Sequence, residues 1–278
     1  MRKINILCDG GLGNRIACLL GGLVTADRLG LTPVIHWPST IWCGAYFYDI
    51  FSDLGFEVTD LGVNDLMRND SNMIFLIHEN QTNAKLKTQM SHGMAAESAI
   101  RDMSDDVVFY SARVPSHLPS GDVLKKLHVL HTADVLQAQI DEFCELNNID
   151  KTTVGLHLRK TDQVNLNEDF WFDYVQHKGA GKRYFICSDE QETEERFCAL
   201  PNIVAFPKTH YVEKLVDGPW RVNALTDPDG RVFPNNVNRG RESVIQAWID
   251  LQILSRTTIL PTVKSSFSTL ATWIGQTS

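Results

Sequence analysis

The sequence predicts an α/β protein built in two halves, each a parallel sheet covered by helices. Three observations carry that expectation. The chain opens on a strand–helix–strand pattern, its second half alternates strands with helices, and a polar break, Asn147-Asn148-Ile149-Asp150, lies between the two. Parallel strands need crossovers, usually helical, so repeated βαβ units build parallel sheets.

Residues 3–8 read as a short apolar strand. Residues 14–29 place Ile16, Leu19, Leu20, Leu23, Val24 and Ala26 at helical spacing, and Gly30 ends that helix. Residues 32–37 form the next strand. From 38 to 120 the pattern is weaker: 73–78 and 107–111 read as strands, and polar 81–92 as a loop. Residues 134–147 form an amphipathic helix with Val135, Leu136, Ile140, Phe143 and Cys144 on one side. The second half then gives strands at 153–159, 183–187 and 202–206. Helices are expected at 169–177 and at 190–199, the latter capped by Ser188 or Asp189. Segment 217–238, rich in Gly, Pro, Asn and Asp, reads as a long loop, and long loops in compact domains are often functional. A helix at 241–255, a strand at 258–260 and a helix at 266–274 complete the chain. The break sets the expected domains at 1–148 and 149–278, meeting at a cleft.

The chain has 278 residues, 43% hydrophobic and 22% charged, ordinary values for a globular protein. Its net charge of −8 argues against a general nucleic-acid binder, so nucleic acid is not an expected partner. A local arginine cluster can still bind phosphate inside an acidic protein. No apolar run reaches transmembrane length, which leaves peripheral membrane contact open, and the opening stretch is too short for a signal peptide. The six cysteines (8, 18, 43, 144, 187, 198) contain no C-x-x-C pair and read as reduced core residues of a cytoplasmic protein. His128 and His131 lack a nearby carboxylate or cysteine to complete a metal set, so no metal is expected.

Three segments carry chemistry. Asp9-Gly10-Gly11-Leu12-Gly13-Asn14-Arg15 joins the first strand to the first helix, where glycines permit a tight turn and close ligand approach. It is not a P-loop, because no lysine follows Gly13. It is not a dinucleotide fingerprint either, because Ile16 stands where a third glycine belongs. A plain βα turn is the alternative. The second segment, Gly155-Leu156-His157-Leu158-Arg159-Lys160-Thr161-Asp162, closes an apolar strand. His157 and Arg159, two apart, share one side of it, at the strand end where open α/β sheets bind ligands. An arginine there can grip a diphosphate through its planar fork; a surface arginine paired to Asp162 is the alternative. The third segment runs from Arg241 to Trp273. Ser243, Gln246 and Asp250 share a helix face, and Lys264-Ser265-Ser266-Phe267-Ser268 opens the last helix, where hydroxyls and free N–H groups suit phosphate. Asp250 could accept from the N–H edge of guanine. Ordinary serine capping and a solvated Asp250 are the alternatives.

In order and spacing these segments resemble the GT-B fucosyltransferase superfamily, which includes the α1,2-, α1,6- and protein O-fucosyltransferases. The resemblance rests on G-G-L-G-N-R at 10–15, V-G-L-H-L-R-K-T-D at 154–162, and D-L-Q-I-L-S at 250–255 followed by S-S-F-S-T-L-A-T-W at 265–273. The second segment is closer to the α1,6 enzymes (H-x-R-R-T-D) and the third to the α1,2 enzymes (S-S-F-S-W-W-x-x-W). Tyr184-Phe185-Ile186-Cys187-Ser188-Asp189 resembles a family strand ending in Ser/Thr-Asp. Residues 38–145 take no part.

The resemblance implies a GT-B-like α/β fold, with two Rossmann-like domains facing a central cleft. It implies a metal-independent, inverting transfer of fucose from GDP-fucose to a hydroxyl of an oligosaccharide or glycoconjugate acceptor, with no cofactor. Arg159 would contact the β-phosphate and act as the catalytic cation. His157 and Asp250 would read the guanine side, Asp189 would belong to the donor site, and Ser265, Ser266 and Phe267 would hold the diphosphate. Gly11, Gly13, Asn14 and Arg15 would face the donor sugar or acceptor from the other domain. The chain departs from the α1,6 pattern at Gln163 and Asn167, where those enzymes carry a lysine and a glutamate base. The base is then Glu168, Asp169 or Asp162, or none is needed. Thr269 replaces the first tryptophan of the α1,2 pattern. Transfer from another nucleotide sugar, or a non-catalytic nucleotide- or glycan-binding module, are the competing readings.

Overall fold

The computed structural model describes residues 2–68, 73–77, 89–101, 106–111, 113–161, 167–179, 181–226, 232–262 and 265–277. The chain divides into two compact units, Met1–Ser39 with Tyr46–Thr132, and Thr40–Ala45 with Ala133–Ser278.

In the first unit, strand β1 (Lys3–Leu7) leads into helix α1 (Leu12–Leu29), then β2 (Thr32–His36), α2 (Phe47–Ile50), β3 (Glu57–Thr59), α3 (Val63–Arg68), β4 (Met73–Ile77), β5 (Gln89–Ser91), α4 (Met94–Arg101), β6 (Asp106–Tyr110) and α5 (Ser120–Leu127). The six strands form one parallel sheet in the order β3-β2-β1-β6-β4-β5. Ile4, Ile6 and Leu7 of β1 are fully buried with Ile16, Leu19 and Leu20 of α1, as a strand covered on both faces requires. The strand order reverses at β1.

The second unit contains α6 (Asp134–Leu146), β7 (Val154–Leu158), α7 (Glu168–Asp173) continued by a π-helical turn (Tyr174–Lys178), β8 (Tyr184–Ser188), α8 (Gln191–Cys198), β9 (Ile203–Val204), the strands β10 (Arg221–Thr226) and β11 (Val232–Asn235), α9 (Arg241–Ser255), β12 (Thr258–Leu260) and α10 (Ser266–Thr277). The parallel sheet runs β12-β7-β8-β9. Every residue of β7 and β8 is buried. Gly155 is required in β7 because a Cβ there would meet Thr257 Oγ1 at 2.1 Å and Leu254 Cδ1 at 2.6 Å, so the end of α9 packs directly on the strand backbone.

Several expectations are corrected. Helix α6 groups with the second unit, so the division falls at 132/133 rather than at 148. Helix α6 packs on α9, and Phe143 meets Phe185 and Phe206 edge-on at 6.1 and 5.5 Å, whereas Val135, expected on the apolar side, is exposed. Segment 217–238 is not a plain loop: β10 and β11 pair antiparallel within it. Buried Asn236 anchors its base, accepting from the N–H of Leu215 and Val216 and donating to the carbonyls of Val216 and Pro219. The stretch expected as loop 81–92 contains β5; residues 81–88 lie outside the described residues. No disulfide joins the six cysteines, five of which are buried and Cys198 exposed. Among the described residues, no helix is long and apolar enough to cross a membrane.

Candidate functional site

In the second unit the strand order also reverses at one strand. From β7 the chain moves through β8 to β9 on one side, then returns to place β12 on the other. The crevice at the carboxyl end of such a strand is where open α/β sheets bind ligands. His157 is the penultimate residue of β7 and Arg159, half-buried, follows its end.

The first turn of α10 closes over this point. Ser268 Oγ lies 2.9 Å from His157 Nδ1, Ser265 Oγ lies 3.4 Å from the same atom, and the Phe267 ring stacks on the imidazole at 4.5 Å and 27°. Ser265 also caps the helix, its hydroxyl accepting from the Ser268 N–H at 3.1 Å. The serine therefore caps as well as lining the site. Ser266, the first residue of α10, is exposed. His157, Ser265 and Phe267 thus converge on one strand end, with Arg159 next along the chain from β7 and Ser266 between Ser265 and Phe267.

Asp189 works through the backbone. Its Oδ1 accepts from the Lys160 N–H at 2.8 Å, and Oδ2 accepts from the Thr161 hydroxyl. It thereby fixes the chain leaving β7. Neither it nor Ser188 caps α8 with its side chain; Glu190 occupies that N-cap position. Glu168 is bridged by two cations, Lys160 and, at 2.7 Å, Arg196. Burial pushes its carboxyl up, but those two partners outweigh burial and hold it below the usual range. A general base needs a pKa near the operating pH, so this geometry speaks against Glu168 as base. Asp169, largely exposed, pairs with Arg196 at 2.7 Å. Asn167 caps α7, its side chain accepting from the Phe170 N–H at 3.0 Å. Asp162 and Gln163 lie outside the described residues.

Asp250 is not on a solvated face. It is buried with Lys208 and Glu194, three ionisable groups the sequence reading did not join. Lys208 Nζ donates to Asp250 Oδ2 at 2.7 Å, to Ser188 O at 2.7 Å and to Glu194 Oε1. Glu194 also accepts from the Ser188 N–H at 2.6 Å and the Tyr211 hydroxyl at 2.7 Å. Burial would push the ammonium down, but Asp250 and Glu194 hold it well above its ordinary value. Burial and the Glu194 charge push the Asp250 carboxyl up to about 7 against the pull of Lys208. One ammonium cannot neutralise two buried carboxylates, so Asp250 takes a proton before Lys208 loses one. Asp250 Oδ1 is buried without a partner. Gln246, one turn away, accepts from the Thr209 and His210 N–H groups at 3.0 Å each and so holds the segment bearing Lys208.

In the first unit, the loop after β1 also lies at the carboxyl end of the strand where the order reverses. Gly10 adopts φ +83°, a left-handed conformation that favours glycine. Gly11 is the N-cap of α1 and Gly13 is buried in its first turn, while Asn14 is half-buried. Arg15 is fully buried. Its Nε donates to Gly10 O at 2.7 Å, its Nη1 donates to Pro38 O at 2.6 Å, and the guanidinium lies 5.2 Å from the Trp37 ring centre. Arg15 was expected to face a ligand; it braces the loop against the segment after β2.

No family model matches the chain and no curated protein matches it. Solved structures do. The fucosyltransferase NodZ from Bradyrhizobium aligns over 98% of this chain and 91% of its own, at 16% identity and TM-score 0.61. NodZ α-1,6-fucosyltransferase co-crystallized with GDP aligns over the same shares at 17% identity and TM-score 0.59. A variant of Arabidopsis thaliana FUT1 in complex with GDP aligns over 99% of this chain and 68% of its own, at 12% identity and TM-score 0.59. Over nearly its whole length the chain shares the α/β fold of these fucosyltransferase structures.

Proposed function

We propose that this protein transfers fucose from GDP-fucose to a hydroxyl of an oligosaccharide or glycoconjugate, with inversion and without a divalent metal. One observation carries the reading. Where the second sheet reverses its strand order, His157 meets the hydroxyl-rich start of α10, and Arg159 follows two residues on, just past the strand end. That is a ready-made diphosphate site, combining a guanidinium with free N–H groups at a helix N-terminus. The GDP bound to structural neighbours of low identity supports the choice of nucleotide.

In the reaction, the acceptor oxygen attacks the anomeric carbon as the bond from that carbon to the β-phosphate oxygen breaks. The electron pair leaves with GDP, and the acceptor proton passes to solvent or a base. Negative charge grows on the β-phosphate, where Arg159 and the amides of Ser266 and Phe267 stabilise it most when it is greatest. The unpartnered Oδ1 of Asp250 accepts from the guanine edge once the base displaces the packing that buries that oxygen.

Thermal unfolding with GDP, UDP and ADP tests the nucleotide assignment. GDP at 100 times its dissociation constant should add about 2.7 kcal/mol of stability. Stabilisation by UDP or ADP with none by GDP would overturn it. Release of free fucose and GDP from the donor separates an enzyme from a binding module.

A further inference from the structure

The geometry points to a divalent-cation site of the zinc class in the first unit, built from His92, Glu97 and His117. The three residues come from separate elements. His92 follows β5, Glu97 lies in α4, and His117 lies between β6 and α5. No spacing in the sequence announces them, yet one ligand atom from each lies within 4.8 Å of the others. His92 Nε2 and His117 Nε2 both point at the same carboxylate oxygen, Glu97 Oε1, each at 3.0 Å.

Two imidazole nitrogens and a carboxylate oxygen are the donor set zinc prefers. Ligands about 2.1 Å from a tetrahedral ion are about 3.4 Å apart. The two 3.0 Å contacts therefore need to open by a few tenths of an ångström, and the two imidazole nitrogens, no more than 4.8 Å apart, need to close by at most about 1.4 Å to hold one. The surroundings are already arranged for an ion. Arg28 donates from Nε to the other oxygen, Glu97 Oε2, at 2.8 Å, and so orients the carboxylate as an outer partner does. The Phe109 ring meets His92 edge-on at 5.1 Å, and the two imidazoles meet edge-on at 4.5 Å, which fixes both rings. The side chains of His92 and Glu97 are 1% and 3% exposed, whereas His117 is 17% exposed. An ion can enter beside His117 and keep a water as its fourth ligand there. The site ties β5, α4 and the segment before α5 together, with α1 joined through Arg28.

The test uses untagged full-length protein stripped with a chelator, then given Zn2+ alone and desalted. Elemental analysis should find one Zn2+ per chain, and the melting temperature should rise with added Zn2+. His117→Ala and Glu97→Gln should both retain only background metal with unchanged circular dichroism. Co2+ in place of Zn2+ should give the intense visible bands of tetrahedral nitrogen–oxygen ligation. This last measurement is made on the unaltered chain, so it decides the matter even if a variant fails to fold. Failure of the unaltered chain to retain zinc, equal retention by the folded variants, or the pale spectrum of hydrated Co2+ would each overturn the assignment.

Discussion

Lys208 Nζ lies 2.7 Å from Asp250 Oδ2, while the other oxygen of that carboxylate is buried and unpartnered. An ammonium has three protons, and Lys208 directs them to Asp250, Glu194 and the Ser188 carbonyl. It has none left for a ligand. Lys208 is therefore a positioning residue that turns Asp250 so that Oδ1 is the atom in want of a donor.

Removing Lys208 leaves two buried carboxylates without a cation. Lys208→Met should cost about 3–5 kcal/mol in chemical denaturation. Pairing it with Asp250→Asn removes one of the two stranded carboxylates, so the double variant should be more stable than the sum of the single losses by about 1–3 kcal/mol. Strictly additive losses would mean the two residues are not coupled.

Arg159→Ala should lower turnover of GDP-fucose by about 10²-fold or more, the usual effect of losing one transition-state donor. Arg159→Lys keeps the charge but loses the planar fork, and should recover only part of the rate. Wild-type turnover by the alanine variant at subsaturating donor would remove Arg159 from the reaction.

Much of this arrangement was legible because it depends on local chemistry. Apolar runs at β7 and β8 mark strands buried on both faces, and Gly155-Leu156-His157-Leu158-Arg159 places its polar residues at a strand end. What escaped depends on contacts distant in sequence. Asp250 sits between Ile249 and Leu251 in a helix buried nearly all round, so it needed a buried cation, but Lys208 is 42 residues away in a segment without periodicity. The hint was present: a lone carboxylate among apolar neighbours is rarely unpaired. The β10–β11 pair escaped because its Gly, Pro, Asn and Asp content imitates a loop, and α6 was assigned to the wrong half because its apolar stripe does not say which helix will cover it.

The raised pKa of Asp250 makes two pH effects run in opposite directions. The folded chain holds a proton on Asp250 that the unfolded chain releases between 3.8 and about 7. That group's contribution to stability is complete below 3.8 and is lost as pH rises through about 7. Guanine donates from its N–H edge and needs the carboxylate, so GDP affinity should increase over the same rise. Asp250→Asn should flatten both profiles, read by denaturation and by calorimetry with GDP. If GDP binds the native chain equally at either end of that window, Asp250 is not the guanine acceptor.

Glu168 separates a salt-bridge role from a catalytic one. Its oxygens are taken by Lys160 and Arg196, so it is ionised at neutral pH and a weak base. A general base contributes about 10²–10⁴-fold to a rate. Glu168→Gln keeps the side chain's length and one acceptor oxygen but removes the charge facing both cations. If the residue only organises the turn into α7, this variant should lose stability while its turnover with GDP-fucose stays within about tenfold of the native rate. The loss should deepen at low salt, where the native bridges are strongest. A fall of about 10²-fold or more in kcat with an unchanged melting temperature would instead make Glu168 the base, and would mean that donor or acceptor binding pulls Lys160 or Arg196 away from it.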